Sequence, residues 1–301
     1  MKTKNAVHII TGPTGSGKTA RALQAAAEKN GIIINADAMQ TYADLRILSA
    51  RPTEEEENQA EHRLYGVLDV FDPCTAARWV DMAAKEIRQV WQENKLPILV
   101  GGTGMYIKSL MQGLSDIPDI PAEIRERVRA MPEPYIYLQQ IDPEMAARLK
   151  PGDSQRIARA LEVMEATGIS LAEWQAKPMK PALPEADYTM EIIALPRDEL
   201  YHRIDRRLDL MIDAGALEEV EVLWKKVRDF SRQSPLPIRE EIKDLSATYP
   251  LLRAHGVPEF FAYLDGTMKL REAIDKAKQN TRNYAKRQMT WIRNQFTLPN
   301  R

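Results

Sequence analysis

A mostly parallel α/β sheet with helices on both faces, interrupted by a helical insertion, is the fold class this 301-residue sequence predicts. Three observations predict it. Short β-branched runs alternate with helical patterns over the first hundred residues, which is the signature of βαβ units. The first of those runs opens directly into a glycine loop and a helix. After Gly113 the texture changes, and prolines punctuate short charged helices up to about Pro184.

In chain order, Ala6–Thr11, Gly31–Asn35, Leu64–Val70 and Leu96–Val100 are short enough for strands, while Thr19–Asn30 and Ala76–Glu93 carry helical spacing. Glu54–Glu57 reads as a solvated helix start. Pro118, Pro121, Pro132, Pro134, Pro143 and Pro151 break up the insertion, in which Tyr135–Ile141 carries both strand and helix signals. Met190–Leu195 reads as a late sheet strand and Asp198–Val227 as one long amphipathic helix. Residues 228–250 read as a proline-broken loop with a short helix, and the tail as mainly helical. The expected division is a core of residues 1–113 and 189–301 around a helical insertion of residues 114–188.

Composition narrows the function classes. The chain has 42 basic and 43 acidic residues, so bulk charge alone predicts no polyanion partner. One cysteine, Cys74, excludes an intrachain disulfide and a cysteine-based metal site, and reads as a turn residue. No apolar stretch approaches the ~20 residues of a membrane span. The start, Met1–Asn5, runs straight into a strand and leaves no room for a signal peptide, so the expectation is a cytoplasmic protein without membrane contact. His8, His62, His202 and His255 lack metal-ligand spacing, and Trp79, Trp91, Trp174 and Trp224 sit in helical patterns that read as core.

Gly12-Pro13-Thr14-Gly15-Ser16-Gly17-Lys18-Thr19 matches G-x-x-x-x-G-K-[ST] in full, between a strand and a helix. Its glycines let backbone N–H groups turn inward around phosphate oxygens, and the helix N-terminus adds its positive end. Lys18 supplies a point charge and the Thr19 hydroxyl is placed to ligate Mg²⁺. The fold class therefore sharpens to a P-loop NTPase-like parallel sheet flanked by helices, of the nucleotide- and ATP-binding type. The usual acid for Mg²⁺ at the end of a later strand is missing, because Pro97–Val100 runs into Gly101-Gly102-Thr103-Gly104. The strand Ile32–Asn35 ends instead on Asp37, at the sheet edge where open α/β sheets bind ligands. Asp37 is a candidate catalytic carboxylate or, alternatively, a helix N-cap.

Together these pieces resemble the tRNA dimethylallyltransferase (tRNA isopentenyltransferase) family. Residues 12–19 match its phosphate loop, Asp37–Tyr42 its D-S-x-Q-x-Y element and Gly101–Tyr106 its GGTGxY element. Gly152–Val163 is similar to its N-D-x-x-R-[IL]-x-R-A-L-E-V element, Leu200–Arg207 to its L-Y-x-R-I-x-x-R stretch, and Lys286–Arg293 to its closing [KR]-R-Q-x-T-W-[FI]-R. The matches are collinear from residue 9 to 295. Departures are Ala38 for the family's serine, Arg46 for an acid, and Gly256-Val257-Pro258-Glu259 for its G-Y-[KR]-[EQ].

The resemblance implies transfer of a dimethylallyl group from dimethylallyl diphosphate to N6 of the adenosine 3′-adjacent to a tRNA anticodon. It implies an Mg²⁺ cofactor, a monomer, and the anticodon stem-loop as partner. Gly12–Thr19 would hold the diphosphate, with Arg203 and Arg207, four apart on one helix face, as a clamp. Without the family, those arginines read equally as surface residues bridging to Asp205 or Glu199. Adenine N6 is a poor nucleophile, so a base is needed. Asp37 is the candidate, with Thr103 as its catalytic companion or else a loop cap. An amide pairs bidentately with adenine, which suits Gln40.

The tRNA contacts implied by the family are Asp37, Ala38, Met39, Gln40, Thr103, Arg125, Gln155, Arg156, Ile157, Ala158 and Arg159. Arg282, Lys286 and Arg287 join them from a tail, Lys269–Arg301, with nine basic and two acidic residues. Such a helix is otherwise only a solvated face. Three rival readings remain: a small-molecule P-loop kinase, a prenyltransferase acting on free adenosine nucleotides, and a non-catalytic nucleotide- or RNA-binding module.

Overall fold

The computed structural model describes residues 5–231 and 245–296. Five strands form one parallel sheet: β1 (Ala6–Thr11), β2 (Gly31–Asn35), β3 (His62–Arg63), β4 (Leu96–Gly101) and β5 (Asp187–Ile192), in the order β3-β2-β4-β1-β5. The inner strands are almost wholly apolar because helices bury both of their faces. Helix α1 (Lys18–Lys29) follows β1 directly and packs through Ala22, Ala25 and Ala26. Helix α3 (Ala76–Gln92) buries Trp79, Val80, Ala83, Ala84, Ile87 and Val90, a stripe at helical spacing, and starts where Thr75 caps the Arg78 amide. The short α2 (Glu54–Glu57) is opened by a Thr53–Glu56 capping box, as its acidic run suggests.

Two compact units emerge, residues 1–111 with 182–301, and residues 112–181. The second unit holds α5 (Ala122–Arg129), α6 (Pro134–Ile141), α7 (Pro143–Ala147), α8 (Ser154–Thr167) and α9 (Leu171–Ala176), beginning at the end of α4 (Gly104–Gln112). Its own core gathers Val128, Leu138, Ile157, Ala160 and Leu161. Tyr135–Ile141 is thus helical, started by Pro134 in the first turn.

Three expectations are corrected. Leu64–Val70 is not a strand. The ladder there is only His62–Arg63, and Leu64 takes φ +63°, a left-handed conformation that cannot continue a strand. Leu64, Leu68 and Val70 of that run are buried as a loop, while Val67 is exposed. The sheet strand near residue 190 lies three residues earlier than expected, with Ala6 opposite Asp187 and Thr11 opposite Ile192. The helix expected over Asp198–Val227 is two, α10 (Arg197–Asp213) and α11 (Ala216–Ser231), broken where Gly215 adopts φ +99°. The tail forms α12 (Val257–Leu264) and α13 (Leu270–Gln295), after a 3₁₀ turn at Pro250–Arg253. Residues 232–244 of the expected proline-broken loop lie outside the described residues. Among the described residues no helix is long and apolar enough to cross a membrane.

Three imidazoles, those of His8, His62 and His255, sit below their usual pKa because burial disfavours the charged form. His8 in β1 bonds the Thr189 hydroxyl at 2.9 Å through Nδ1. A lowered folded pKa means the unfolded chain binds more protons below about pH 6.5, so stability rises with pH in that window. The urea midpoint should therefore fall between pH 7 and 5.5, before carboxylates titrate. A flat midpoint across pH 5.5–7 contradicts this.

Candidate active site

The strand order places β4 between β1 and β2, so the loops leaving their C-terminal ends lie side by side. These are the phosphate loop after β1, the Asp37 loop after β2, and Gly101–Gly104 after β4. Such close packing explains the glycines after β4. A Cβ on Gly101 would lie 2.1 Å from the Ala36 backbone, and one on Gly104 would lie 2.0 Å from the Trp291 ring. Helix α10 crosses the phosphate loop at Gly15, where a Cβ would meet Ile204 at 3.0 Å. Leu200, Ile204, Leu208 and Met211 face inward from α10, which sets Arg203 and Arg207 over the loop.

Around this junction opens a cleft of about 790 Å³, whose walls include Lys18, Thr19, Asp37, Gln40, Arg203 and Arg207. Ile47, Leu210, Met211 and Ala214 supply an apolar side. Lys18 Nζ donates to the Gly12 and Pro13 carbonyls at 3.0 and 2.8 Å. Burial lowers its pKa to about 8, with the Asp37 charge opposing that shift and Arg207 adding to it. Burial likewise lowers the Arg207 pKa, and Asp37 opposes it. Arg207 donates to the Thr14 hydroxyl. Arg203 is bonded to Glu199 at 2.7 Å, the alternative partner named from sequence, while its guanidinium also lies beside Gly17.

Asp37 is held from both sides. Its amide donates to Asn35 Oδ1 at 2.8 Å and its Oδ1 accepts from the Met39 amide at 3.0 Å. Asn35 in turn donates to the Asp37 carbonyl and to Leu64 O, fixing the turn. The Thr103 hydroxyl accepts from the Ala38 amide at 2.9 Å, so it caps the neighbouring loop, and Thr103 itself lines a separate depression with Tyr284, Arg287, Gln288 and Trp291 rather than the main cleft. Ala38 and Met39 pack partly buried against the main core and do not line the cleft. Gln40 Nε2 donates to Ser49 and Ala50 carbonyls at 2.9 and 3.0 Å. Its amide nitrogen is thus occupied, and Oε1 is the end left for a ligand.

Hard oxygen donors are available for Mg²⁺. Thr19 and Asp37 line the cleft, and Ser16 Oγ is buried without a partner. Among the described residues no cluster of three or more His, Cys, Asp or Glu side chains exists to cage a metal. The donor set fits an ion held by one or two protein oxygens and completed by phosphate and water.

The expected RNA-binding residues divide. On α13, Lys286 and Arg287 are exposed, with the Arg287 guanidinium 5.8 Å from the Tyr284 ring. Arg282 is paired to Asp205 at 2.6 Å, as Lys278 is to Asp209, so two cations of the basic tail are neutralised by α10. In the other unit, Arg125, Gln155 and Arg156 are exposed and Arg159 reaches Glu162 at 3.5 Å. Ile157 is buried in that unit's core at 1% exposure, so its side chain is not a surface contact, and Ala158 packs partly buried against that core. Arg46 is neutralised by Glu57 at 2.9 Å, and Glu259 is a buried cap that accepts from Gly256 N and Asn280. The Arg46 departure is thus absorbed structurally, whereas Glu259 keeps the family's [EQ] and the changed residues of that element are Val257 and Pro258. Trp79 is fully buried, with its indole bonded to Asn35 O, and Cys74 is buried with its thiol pKa pushed up by desolvation.

Sequence reasoning gave Gln288 no role, although the structure brings it to the junction. The signal available was periodicity: Ala285, Gln288 and Ile292 share the buried face of α13, and a glutamine there needs polar partners.

The comparisons agree with the geometry. Residues 40–295 match the family model described as IPP transferase. The tRNA dimethylallyltransferase of Azorhizobium caulinodans is 45% identical over 96% of this chain and 89% of its own. That of Granulibacter bethesdensis is 46% identical over 99% of this chain and 90% of its own. The crystal structure of the tRNA isopentenylpyrophosphate transferase from Bacillus halodurans is 32% identical, with TM-score 0.66 over 96% of this chain and 87% of that one. A eukaryotic dimethylallyltransferase captured acting on tRNA is 26% identical, with TM-score 0.78 over 96% of this chain and 70% of that one.

Proposed function

This chain belongs to the IPP transferase family, that of the tRNA dimethylallyltransferases, and we propose that it transfers a dimethylallyl group from dimethylallyl diphosphate to N6 of an adenosine beside a tRNA anticodon. The observation that carries the reading is the meeting, in one cleft, of a complete phosphate loop, the Asp37 carboxylate and an apolar wall. The phosphate loop amides, Lys18, Arg203 and Arg207 bind the diphosphate, and the apolar wall of Ile47, Leu210 and Met211 suits a short branched hydrocarbon. Thr19 would hold an Mg²⁺ ion, which would supply charge stabilisation on the leaving oxygens when bound.

The allylic C–O bond breaks and its electron pair leaves with the diphosphate. The N6 lone pair forms the new C–N bond, and the N6 proton passes to the Asp37 carboxylate. Donors aimed at the leaving oxygens stabilise the developing charge. Gln40 Oε1 borders the cleft in which adenine's exocyclic nitrogen must stand, while Thr103, in a separate depression with Gln288 and Trp291, holds the loop that carries Asp37. An adenine in a stacked loop cannot reach that place, so it must be flipped out. Lys286, Arg287 and the exposed α8 side chains Gln155 and Arg156 then serve as phosphate contacts.

Mass analysis of tRNA nucleosides after incubation with protein, Mg²⁺ and dimethylallyl diphosphate tests the reading. The expected product is an adenosine carrying one dimethylallyl group, formed from tRNA but not from free AMP. A phosphorylated product with labelled ATP, or no product, overturns it.

Neutralising Lys286 and Arg287 together should weaken binding of many RNAs alike. Each lost phosphate contact should shallow the slope of log K against log salt by about 0.7 to 0.9. Unchanged affinity and slope would make α13 a solvated face only.

A further inference from the structure

Gln288 is 6% exposed on the face of α13 that packs inward. Its Oε1 accepts from the Thr14 amide at 2.9 Å, and its Nε2 donates to the Gly102 carbonyl at 2.9 Å. One side chain thus bonds the phosphate loop with one end and the loop after β4 with the other. The next residue along, Thr103, accepts from Ala38 N and so fixes the loop that bears Asp37. Gly102 leaves room for this arrangement, since a Cβ there would lie 2.2 Å from Gln288 Nε2. Thr14 is therefore anchored twice, by Gln288 at its backbone and by Arg207 at its hydroxyl.

We propose that Gln288 is a positioning residue for the transfer reaction: its amide sets the spacing between the loop that binds the diphosphate and the loop that carries the base. This rests on the prenyl-transfer reading of the cleft. Group transfer demands reacting atoms held about 3–3.5 Å apart, and a 1 Å misplacement costs about 10²-fold. The two halves of this reaction sit on different loops, and the route Thr14, Gln288, Gly102–Thr103, Ala38, Asp37 joins them through side-chain hydrogen bonds and the backbone. Simple core filling does not explain the choice of residue, because an amide on a buried helix face carries a desolvation cost that an aliphatic chain avoids. Lys286 and Arg287 immediately precede Gln288, so the helical turn that faces RNA outward holds this joint inward.

The test uses the full chain. Gln288→Met keeps length and volume but removes both hydrogen bonds. It should lower kcat by about 10- to 100-fold, with KM for dimethylallyl diphosphate and affinity for tRNA within about threefold. The Thr14 amide should exchange hydrogen at least about tenfold faster. Gly102→Ala should displace the amide and reproduce the kcat loss. In a Gln288→Ala background, Gly102→Ala should cost no more than about threefold further, because the next near atom is Gly12 O at 3.3 Å, a contact relieved by a shift of a few tenths of an ångström. Unchanged kcat in Gln288→Met, or losses that multiply in the double variant, overturn the proposal. If the wild-type chain itself makes no prenylated tRNA, the functional reading falls, and Thr14 exchange alone decides the joint: unchanged protection ends it.

Discussion

Asp37→Asn is expected to lower turnover by about 10²- to 10⁴-fold while tRNA affinity stays within about threefold. The substitution is close to isosteric. Asparagine retains an Oδ1 for the Met39 amide and the backbone amide that bonds Asn35, so the turn after β2 is kept. What it loses is the proton acceptor. N6 of adenine has its lone pair drawn into the ring, and attack without simultaneous proton removal builds positive charge on nitrogen beside Lys18 and Arg207. Single-turnover measurement with saturating dimethylallyl diphosphate separates this chemical step from binding. Near-normal turnover in Asp37→Asn would remove the carboxylate from the mechanism.

The second large effect belongs to Lys18. Lys18→Met preserves the aliphatic stem but removes the charge, and should reduce kcat/KM for dimethylallyl diphosphate by about 10²- to 10³-fold, the usual consequence of losing one donor on a developing anion. Binding of tRNA alone should be unaffected. The loop holds together without substrate because the ammonium bonds the Gly12 and Pro13 carbonyls. Its pKa of about 8 leaves it largely charged at pH 7. In the free protein it discharges as pH rises through that value, so pyrophosphate affinity should decline from pH 7 to 9. ATP should be neither required nor consumed, and tRNA-stimulated ATP hydrolysis would overturn the assignment of this loop to a diphosphate.

What could be read from sequence follows from how local each cause is. β1 and β2 were legible to the residue because central parallel strands are continuous apolar runs, and the phosphate loop because its geometry is written in eight consecutive residues. Leu64–Val70 misled because Leu64, Leu68 and Val70 are as apolar as strand residues yet are buried by tertiary packing around Tyr42. The edge strand β5 was displaced in the reading because its outer positions alternate exposed with half-buried, so its start has no apolar signature. Gly215 was passed over inside an otherwise periodic helix, although a left-handed residue ends one. The burial of Gln288 was readable from helical periodicity, but what it bonds was not. Its partner Thr14 lies 274 residues away, and no window of local pattern contains both.

The second unit has one further consequence, in modular terms. Leu114 and Lys180, near its two ends, pair as an antiparallel bridge, so entry and exit lie about 5 Å apart. Its apolar cluster draws only on residues between Ile117 and Trp174. A segment with a private core and adjoining ends is a cassette. It can be lengthened, exchanged or replaced by a tight turn without altering where the chain leaves and rejoins the sheet domain. On the proposed function, RNA recognition would diversify by changes within the cassette while the chemistry stays with the β1, β2 and β4 loops.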